Sequence, residues 1–328
     1  GFGFGFDENT ARIKAVAEFF ERYFAETITK EIFKFSINQA QDLGLPFVNP
    51  NQLRPYHESG FIEDRFPKVK ANEPISFIWG QDFFGAPFLL PARAVFLPFM
   101  STEPVFMSTN ATGTAAHVDK KNAKENALLE IIERHALMAS FRLKNPVWSL
   151  DVPRELAEFV DQNQLELRLF DVGQEIPVVM AMLSQKNDLI SIGSKAGPLN
   201  ISTIKAAVSE ALATRASLMK NTKVDGLPRS SFEHMKKAFH DQKIITFYEN
   251  KSMKKDFTFN SNPCLDGIND DIGPIYFADI GEHEQWHVVK AIALNAYSKE
   301  GDGLYPHYKN FLAKFRFDDL NTEPHPFG

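Results

Sequence analysis

Cysteine is nearly absent from this sequence: Cys264 is the only one among 328 residues. A single thiol excludes a disulfide within the chain and a zinc site built from several cysteines. Proteins without disulfides are typical of reducing compartments, so we expect a cytoplasmic protein. The first six residues alternate glycine and phenylalanine and carry no basic segment, which excludes a secretory signal peptide there.

An excess of basic charge and long apolar runs are also lacking. The 36 lysines and arginines are outnumbered by 42 aspartates and glutamates, giving a net charge of -6. No basic stripe is available to neutralise a nucleic-acid backbone, so we expect no nucleic-acid partner. The longest apolar stretch, residues 83–100, is interrupted by three prolines and an arginine. Because a transmembrane helix needs about 20 apolar residues, no membrane span is expected.

The hydrophobic periodicity predicts an α+β protein. Helical spacing of apolar residues predicts three long helices, at residues 9–27, 121–142 and 201–220, and turn residues separate several strand-like segments. The predicted strands are residues 75–79, 92–99, 165–170, 176–183, 189–192, 275–280 and 287–294. Since strands and helices do not alternate strictly, we expect mixed or antiparallel sheets. We predict one domain over residues 1–328, with a polar insertion at 221–270, a helix near 231–240, and a proline-containing tail at 321–328.

Two of the predicted helices carry the same charged pattern. Each has two glutamates three residues apart, followed directly by an arginine: Glu18, Glu21 and Arg22 in one helix, and Glu130, Glu133 and Arg134 in the other. Residues at these spacings share one face of a helix. For a single pattern, the commonest explanation is a surface salt bridge of little energetic value.

The residues around both patterns favour a less ordinary explanation. The charged residues form a narrow stripe, and the remaining faces are apolar, which predicts that both helices are largely buried. Buried carboxylates need compensating charge. Magnesium ions bound to a polyphosphate would supply it, because Mg²⁺ prefers oxygen ligands shared between carboxylates and phosphates. A buried network of salt bridges between the helices is the alternative, and the spacing alone does not decide between the two.

These residues resemble the motifs of the YcaO superfamily over nearly the whole chain. The first helix, with Glu18, Glu21 and Arg22, resembles the first nucleotide-binding motif SxxxExxER. The small residues 112–117, taken as a loop, and the helix with Glu130 and Glu133 resemble the family's ExxER block. Residues 206–215 resemble its later ExxQxR helix, residues 77–92 its tryptophan-containing strand and the strand that follows, and residues 324–327 its proline-rich tail.

The resemblance implies a YcaO-type fold around a nucleotide cleft, with ATP and Mg²⁺ as cofactors. By matching position, the implied Mg²⁺ ligands are Glu18, Glu21, Glu130 and Glu133. The implied nucleotide-binding residues are Lys14, Arg22, Arg134, Glu210 and Arg215, with Glu210 able to join either group. The tail residues Pro324, His325, Pro326 and Phe327 would enter the active site and position the activated amide.

The resemblance also implies a reaction and its partners. In azoline-forming members, a Cys, Ser or Thr side chain of a precursor peptide adds to the preceding amide, whose oxygen ATP then phosphorylates. Other members make thioamides or amidines with sulfide or an amine, and a scaffold that has lost turnover is a third possibility. We therefore expect a peptide substrate and a partner protein that binds its leader segment, because no such domain precedes the first motif. A homodimer is also possible.

Three positions depart from the family pattern. Lys14 stands where the first motif has Ser, Val118 where Asn is common, and Ala213 where the ExxQxR helix has Gln. Lys14 can itself contact a phosphate, whereas Ala213 removes a polar contact and could weaken the nucleotide site.

The sequence contains a zinc-protease motif, but not in the helical context that the motif requires. Residues 283–287 read HExxH, but that motif requires a helix, and these residues are followed by a strand-like run. On a strand, residues four apart lie about 13 Å from each other, too far to share one zinc ion. We therefore do not expect a metalloprotease.

Overall fold

Helices and strands are interleaved along the chain. The computed structural model describes residues 3–54, 66–185, 190–220, 243–254, 265, 267–297 and 321. The helices are Glu8–Glu26 (α1), Ile37–Asp42 (α2), Ala92–Val95 (α3), Lys120–Arg142 (α4), Arg154–Gln162 (α5), Ile201–Lys220 (α6), Lys243–Lys251 (α7) and Ile268–Ile272 (α8), with a 3-10 turn at Pro50–Leu53. The strands are Phe33–Phe35 (β1), Ile75–Asp82 (β2), Pro87–Pro91 (β3), Thr114–His117 (β4), Val147–Leu150 (β5), Glu166–Asp171 (β6), Val178–Ser184 (β7), Ser191–Ala196 (β8), Ser252–Lys254 (β9), Ile275–His283 (β10) and Trp286–Ala293 (β11).

The strands form two sheets. The first sheet has the order β1-β2-β10-β11-β4, with β3 also paired to β2, and all of its pairs are antiparallel. The second sheet has the order β8-β7-β6-β5-β9, and only the β5–β9 pair is parallel. Among the described strands, β4 and β8 are therefore edge strands, each with one row of backbone groups that no described strand pairs. This arrangement confirms the predicted α+β class with antiparallel and mixed sheets.

Helix α4 lies between the two sheets and is largely buried, as predicted. It contacts β4 and β11 of the first sheet and β7 and β8 of the second. Its apolar residues belong to one core cluster with strand residues of both sheets, for example Val289 and Met180. The Asp119 side chain accepts a hydrogen bond from the Asn122 amide and fixes the start of the helix. The second charged pattern is thereby placed between the two edge strands.

Helix α1 is less buried than its sequence predicted. The Asp7 side chain accepts a hydrogen bond from the Thr10 amide and caps the start of the helix. Only Phe24 and Ala25 are buried, however, whereas Phe19 and three other apolar residues of the helix are exposed. The prediction of a buried helix is wrong here because α1 packs on one side of the first sheet, against β4, β10 and β11, and no described element covers its outer face.

Two strand predictions and one loop prediction need correction. Residues 92–99 are not a strand: the strand is β3, and the Pro91 that ends it leads into the short helix α3. Most of their apolar side chains are nevertheless buried, and a short apolar run does not distinguish a strand from other buried segments. Residues 114–117, taken as a loop, form β4 because they pair with β11. Strand β8 begins at Ser191 and runs on to Ala196.

The other five predicted strands and the three long helices lie close to their predicted positions, whereas α2, α5, β1 and β5 were not predicted. The predicted polar insertion contains α7, β9 and the first residues of α8, none of which was predicted. The predicted helix near residues 231–240 lies outside the described residues. No helix in the described part of the chain combines the length and hydropathy that a membrane span requires.

Candidate functional site

The free edge of β4 is closed by glutamates from α1 and α4. Glu21 Oε1 accepts a hydrogen bond from the Ala116 amide at 3.0 Å, and Glu130 Oε2 accepts one from the Gly113 amide at 3.2 Å. Gly113 has a φ of +80°, and a Cβ there would lie 2.6 Å from the Ala291 carbonyl oxygen, so only glycine suits this position. Glu21 of the first charged pattern and Glu130 of the second thus meet at the same edge strand.

The free edge of β8 is closed in the same way by α4 and α6. The Ser194 amide donates to Glu210 Oε2 at 3.0 Å, and the Ala196 amide donates to Glu133 Oε2 at 3.3 Å. The Ser194 hydroxyl also donates to Glu133 Oε1 at 2.7 Å. Because amides two residues apart face the same side of a strand, two glutamates satisfy this edge together.

Arg134 lies between the glutamates of the two edges. Its Nη2 is 3.9 Å from Glu130 Oε1 and 4.0 Å from Glu210 Oε1, and its side chain is 19% exposed. Burial disfavours the charged guanidinium, but the three carboxylates of Glu133, Glu210 and Glu130 outweigh that effect and raise the pKa of Arg134. Arg134 therefore stays charged and partly neutralises the carboxylates around it.

The carboxylates at the β4 edge remain poorly neutralised. Burial raises the pKa of Glu21 to about 7, and repulsion from Glu130 and Glu18 adds to the effect. Burial also raises the pKa of Glu130, helped by Glu133 and opposed by Arg134. Two neighbouring carboxylates with raised pKa values form a site that an additional cation would stabilise.

A buried lysine missed from the sequence supports this edge. Lys290 on β11 donates hydrogen bonds to the carbonyl oxygens of Asn110 and Thr112, at 2.9 and 2.6 Å, and so holds the segment that leads into β4. Burial lowers its pKa to about 8, against the opposing attraction of Glu130. Its position as a lysine inside the apolar run 288–292 was the available signal.

A cleft of about 750 Å³ lies beside these glutamates. Residues from α1, β8 and α6 line it together with Phe4: Lys14, Glu18, Arg22, Ser194, Lys195, Ala206, Ser209, Glu210, Ala213, Ala216 and Ser217. Arg22 donates to Glu18 Oε1 through both Nη2, at 2.7 Å, and Nε, at 3.0 Å. Burial lowers the pKa of Lys14, and repulsion from Lys195 adds to this. Lys195 was also missed from the sequence, where no motif contained it.

The predicted site residues are mostly, but not all, brought together. Lys14, Glu18, Arg22 and Glu210 line the cleft, and Glu130 is linked to Glu210 through Arg134. Arg215 does not line it: its side chain is 6% exposed and donates to Gln185 Oε1 at 2.9 Å. The predicted catalytic residues Pro324, His325, Pro326 and Phe327 lie outside the described residues.

The described side chains alone do not form a complete metal cage. Within the described ranges, no three side chains of His, Cys, Asp or Glu lie close enough together to hold a metal ion. Mg²⁺ is commonly held by one or two carboxylates and completes its shell with phosphate oxygens and water. The Glu21 and Glu130 arrangement fits that pattern better than it fits a zinc or calcium site.

The HExxH letters do not form a metal site. His283 ends β10, and Trp286, its partner in the hairpin, begins β11. Glu284 lies in the turn with a φ of 50°. The two histidines therefore lie on different strands of a hairpin, so the expected separation along one strand is wrong, but the helix that the motif requires is not formed here.

Sequence comparison gives one family match. A family profile for YcaO cyclodehydratases, described as ATP- and Mg²⁺-binding, matches residues 2–293. No curated protein sequence matches the chain.

Solved structures share the fold. A heterocyclase in complex with substrate and cofactor has a TM-score of 0.76 and 14% identity, with 99% of this chain and 49% of that chain covered. A chain of the Escherichia coli microcin synthetase McbBCD complex has a TM-score of 0.68 and 15% identity, with coverages of 88% and 81%. YcaO from Methanopyrus kandleri, bound with AMPPCP and Mg²⁺, has a TM-score of 0.58 and 17% identity, with coverages of 90% and 78%. The chain spans about half the length of the heterocyclase.

Proposed function

The chain belongs to the YcaO family, and from this premise we propose that it is an ATP- and Mg²⁺-dependent enzyme that activates backbone amides of a peptide. More specifically, we propose a cyclodehydratase that forms azolines from Cys, Ser or Thr residues of a precursor peptide. The family and fold predicted from the motifs are confirmed by the profile match and the shared fold, and ATP and Mg²⁺ are the cofactors of that family.

One observation carries the proposal: helices α1, α4 and α6 bring glutamates to the free edges of two sheets beside a cleft that contains basic side chains. Lys14 and Arg22 reach this cleft, whose volume of about 750 Å³ suits a nucleotide. A polyphosphate would offset their charge, and Arg22 would bind it through paired hydrogen bonds. The donors present therefore fit ATP.

The carboxylates fit the metal that accompanies the nucleotide. Glu21 and Glu130 have pKa values raised by burial and by neighbouring negative charge, and a bound Mg²⁺ would remove that repulsion. We propose these two as the principal Mg²⁺ ligands, with Glu18 nearer the phosphates. Glu133 keeps its predicted ligand role as a proposal, although both of its oxygens already accept hydrogen bonds from β8.

The side chains around the cleft would orient the reactants. When bound, ATP supplies the phosphoryl group that turns the amide oxygen into a good leaving group. Arg22, held by its ion pair with Glu18, would present its guanidinium to phosphate oxygens. Arg134, fixed between Glu130 and Glu210, would keep those carboxylates in place. Preorganised charge of this kind accounts for most of the catalysis that phosphoryl transfer needs from a protein.

We propose that the substrate is a peptide delivered with the help of a partner. One protein with this fold was solved with its substrate, and another belongs to the McbBCD complex. No leader-peptide site is identified among the described residues, so a partner or a further domain would supply it.

The role of Pro324–Phe327 in positioning the activated amide stays a proposal. Deletion of residues 324–328 should abolish water loss from the peptide and leave nucleotide affinity unchanged.

Calorimetry and mass spectrometry test the proposed function in sequence. ATP is titrated into the protein with Mg²⁺ and again with EDTA, and a peptide containing Cys, Ser and Thr is then incubated with the protein, its partner and Mg²⁺-ATP. We expect Mg²⁺-dependent binding and loss of water from the peptide together with phosphate release. Absence of Mg²⁺-dependent ATP binding contradicts the proposal. Sulfur exchanged for oxygen in the peptide would instead indicate a thioamide-forming enzyme.

A non-catalytic scaffold is the second candidate, and Ala213 favours it. This residue lines the cleft at a position where the resembled motif has a glutamine, so the cleft lacks one polar contact. A scaffold would bind Mg²⁺-ATP or peptide without releasing phosphate. If the wild type releases no phosphate and Ala213→Gln does, the result would support a scaffold that lost turnover at this position.

A further inference from the structure

Two lysines reach the candidate nucleotide cleft from different structural elements. Lys14 lies on α1 and Lys195 on β8, and both line the same cleft. The two ammonium groups are close enough for their repulsion to lower the pKa of Lys14, in addition to the larger effect of burial. Holding two like charges at one cleft is unfavourable unless an anion lies between or beside them.

Carboxylates compensate these lysines only in part. Glu210 and Asp7 attract Lys14, and Lys195 attracts Glu21 and Glu130, yet burial and mutual repulsion still lower the pKa of Lys14. Glu18 is 2.7 Å from Arg22, and Glu210 accepts the Ser194 amide. The two carboxylates that line the cleft are thus also engaged elsewhere, and both lysines line the space that a ligand would enter.

Lys195 is held in place from both sides. The residue before it, Ser194, is anchored by its amide to Glu210 and by its hydroxyl to Glu133. The residue after it, Ala196, donates its amide to Glu133. The strand that carries Lys195 is therefore fixed on α4 at both neighbouring positions and on α6 at Ser194, and its backbone needs no reordering to present the ammonium to a ligand.

We propose that Lys195 is a phosphate-binding residue which, together with Lys14, forms a two-cation subsite for the nucleotide phosphates. This inference rests on the proposed function and adds to it a residue outside the charged motifs. It also assigns Lys14 a positive role: the ammonium that stands where the resembled motif has Ser acts as one half of a pair. The subsite takes the polyphosphate and not the base or the ribose, because ammonium groups recognise charge.

Substitution of Lys195 tests the subsite. Mg²⁺-ATP, Mg²⁺-ADP and adenosine compete with a fluorescent ATP analogue for binding to the wild type, Lys195→Met and Lys195→Arg. We expect Lys195→Met to weaken Mg²⁺-ATP binding by about tenfold to a hundredfold, the range of a charged hydrogen bond. Adenosine binding should be unchanged, ADP should be affected less than ATP, and Lys195→Arg should retain most of the affinity. Lys205→Met, which removes a lysine of α6 that pairs with Glu155 and does not line the cleft, is the matched control.

The possible outcomes separate this inference from the proposed function. If the wild type does not bind Mg²⁺-ATP, the proposed function fails, and the phosphate subsite fails with it. If the wild type binds and Lys195→Met binds equally well, only the subsite is contradicted. An equal loss for ATP and adenosine also contradicts it, because the substitution would then have damaged the cleft as a whole. A thermal unfolding curve of each variant identifies that damage directly.

Discussion

The Ser194 hydroxyl donates a 2.7 Å hydrogen bond to Glu133 and so joins the edge strand of the second sheet to the central helix α4. Both residues are almost fully buried, and the other Glu133 oxygen accepts the Ala196 amide. A buried carboxylate is stable only with such partners. Glu133 therefore holds β8 against α4, and this structural role stands beside the metal-binding role that its motif predicts.

Replacement of Glu133 by glutamine should separate the two roles. The amide can accept only through its oxygen, so one of the Ser194 and Ala196 hydrogen bonds is lost. The free energy of unfolding in urea should then fall by about 1–3 kcal/mol with the transition still cooperative. If Glu133 is also a Mg²⁺ ligand, calorimetry should show no Mg²⁺-dependent ATP binding.

Ser194→Ala is the matched variant for that experiment, because it removes the hydrogen bond from the Ser194 hydroxyl to Glu133 and keeps the carboxylate. It should lose a similar amount of stability and still bind Mg²⁺-ATP. If both variants lose nucleotide binding in proportion to stability, Glu133 is structural only. Wild-type ATP affinity in Glu133→Gln would contradict the ligand assignment outright.

Glu21→Gln should uncouple ATP binding from magnesium. The glutamine oxygen can still accept the Ala116 hydrogen bond, so the β4 edge stays closed, but the negative charge beside Glu130 is lost. In Mg²⁺, ATP affinity should fall at least about tenfold, the cost of one charged ligand contact. In EDTA it should be unchanged or higher, because a carboxylate near the phosphates has been removed.

The control for Glu21→Gln is Glu26→Gln, an exposed residue at the end of the same helix. It should bind ATP as the wild type does, with and without Mg²⁺. Calorimetric titrations of both variants in both buffers give the comparison. A Glu21→Gln protein whose ATP affinity depends on Mg²⁺ as strongly as the wild type would show that Glu21 is not a ligand.

Much of the site could be predicted because its motifs lie on helices. The spacing of Glu18, Glu21 and Arg22 fixes their shared face once α1 forms, and the same holds for α4. Helical periodicity placed α1, α4 and α6 within one residue of their ends. Local sequence thus determined which side chains act together, although not what they face.

What each glutamate faces could not be predicted, because it depends on contacts between distant segments. Glu21 accepts the amide of Ala116, 95 residues away in sequence, and Glu133 reaches β8 over 61 residues. Residues 114–117 have small side chains and become a strand only by pairing with β11. No local sequence pattern predicts the proposed role of Lys195, because that role depends on the cleft that residues of β8, α1 and α6 line together. The outer face of α1 was misjudged for the same reason: apolar spacing does not reveal which face another element covers.

Lys251 should make stability depend on pH in the alkaline range. Its ammonium donates to the Ser140 carbonyl oxygen and lies 4.7 Å from the Phe247 ring, and burial lowers its pKa to about 8. Between that value and the ordinary lysine pKa of 10.5, the unfolded chain holds a proton that the folded chain has released. The free energy of unfolding therefore rises with pH in this window, and the full penalty of burying the charge is present below it.

Urea unfolding at about pH 7 and about pH 9.5 checks this sign. The stability of the wild type relative to Lys251→Met should increase from the lower to the higher pH, because only the wild type contains the titrating group. Lys254→Met, which removes an exposed lysine three residues away, should show no such trend. If the stability of the wild type relative to Lys251→Met falls with pH, the prediction is wrong. The hydrogen bond to Ser140 would then stabilise the Lys251 ammonium by more than burial destabilises it.

Gly193→Ala should damage the fold and the cleft together, because β8 packs directly on the backbone of α6. A Cβ at this position would lie 2.2 Å from the Ala211 nitrogen and 2.3 Å from the Ala207 carbonyl oxygen. Backbone atoms cannot move aside as a side chain can, so the strand must withdraw from the helix. We expect a loss of about 1–3 kcal/mol in the free energy of unfolding, the usual cost of overpacking. Withdrawal also pulls the neighbouring Ser194 away from Glu210, so Mg²⁺-ATP affinity should fall.

Gly44→Ala supplies the comparison for Gly193→Ala, because its φ is +62° and a Cβ there would meet nothing within 4 Å. It should cost about 1 kcal/mol through backbone strain alone and leave ATP affinity unchanged. Urea unfolding and calorimetry on both variants, at a temperature where each is fully folded, separate loss of stability from loss of the site. If Gly193→Ala keeps wild-type ATP affinity despite its lower stability, the position of β8 does not control the cleft. The Ser194 and Lys195 contacts would then have to act independently of the packing between β8 and α6.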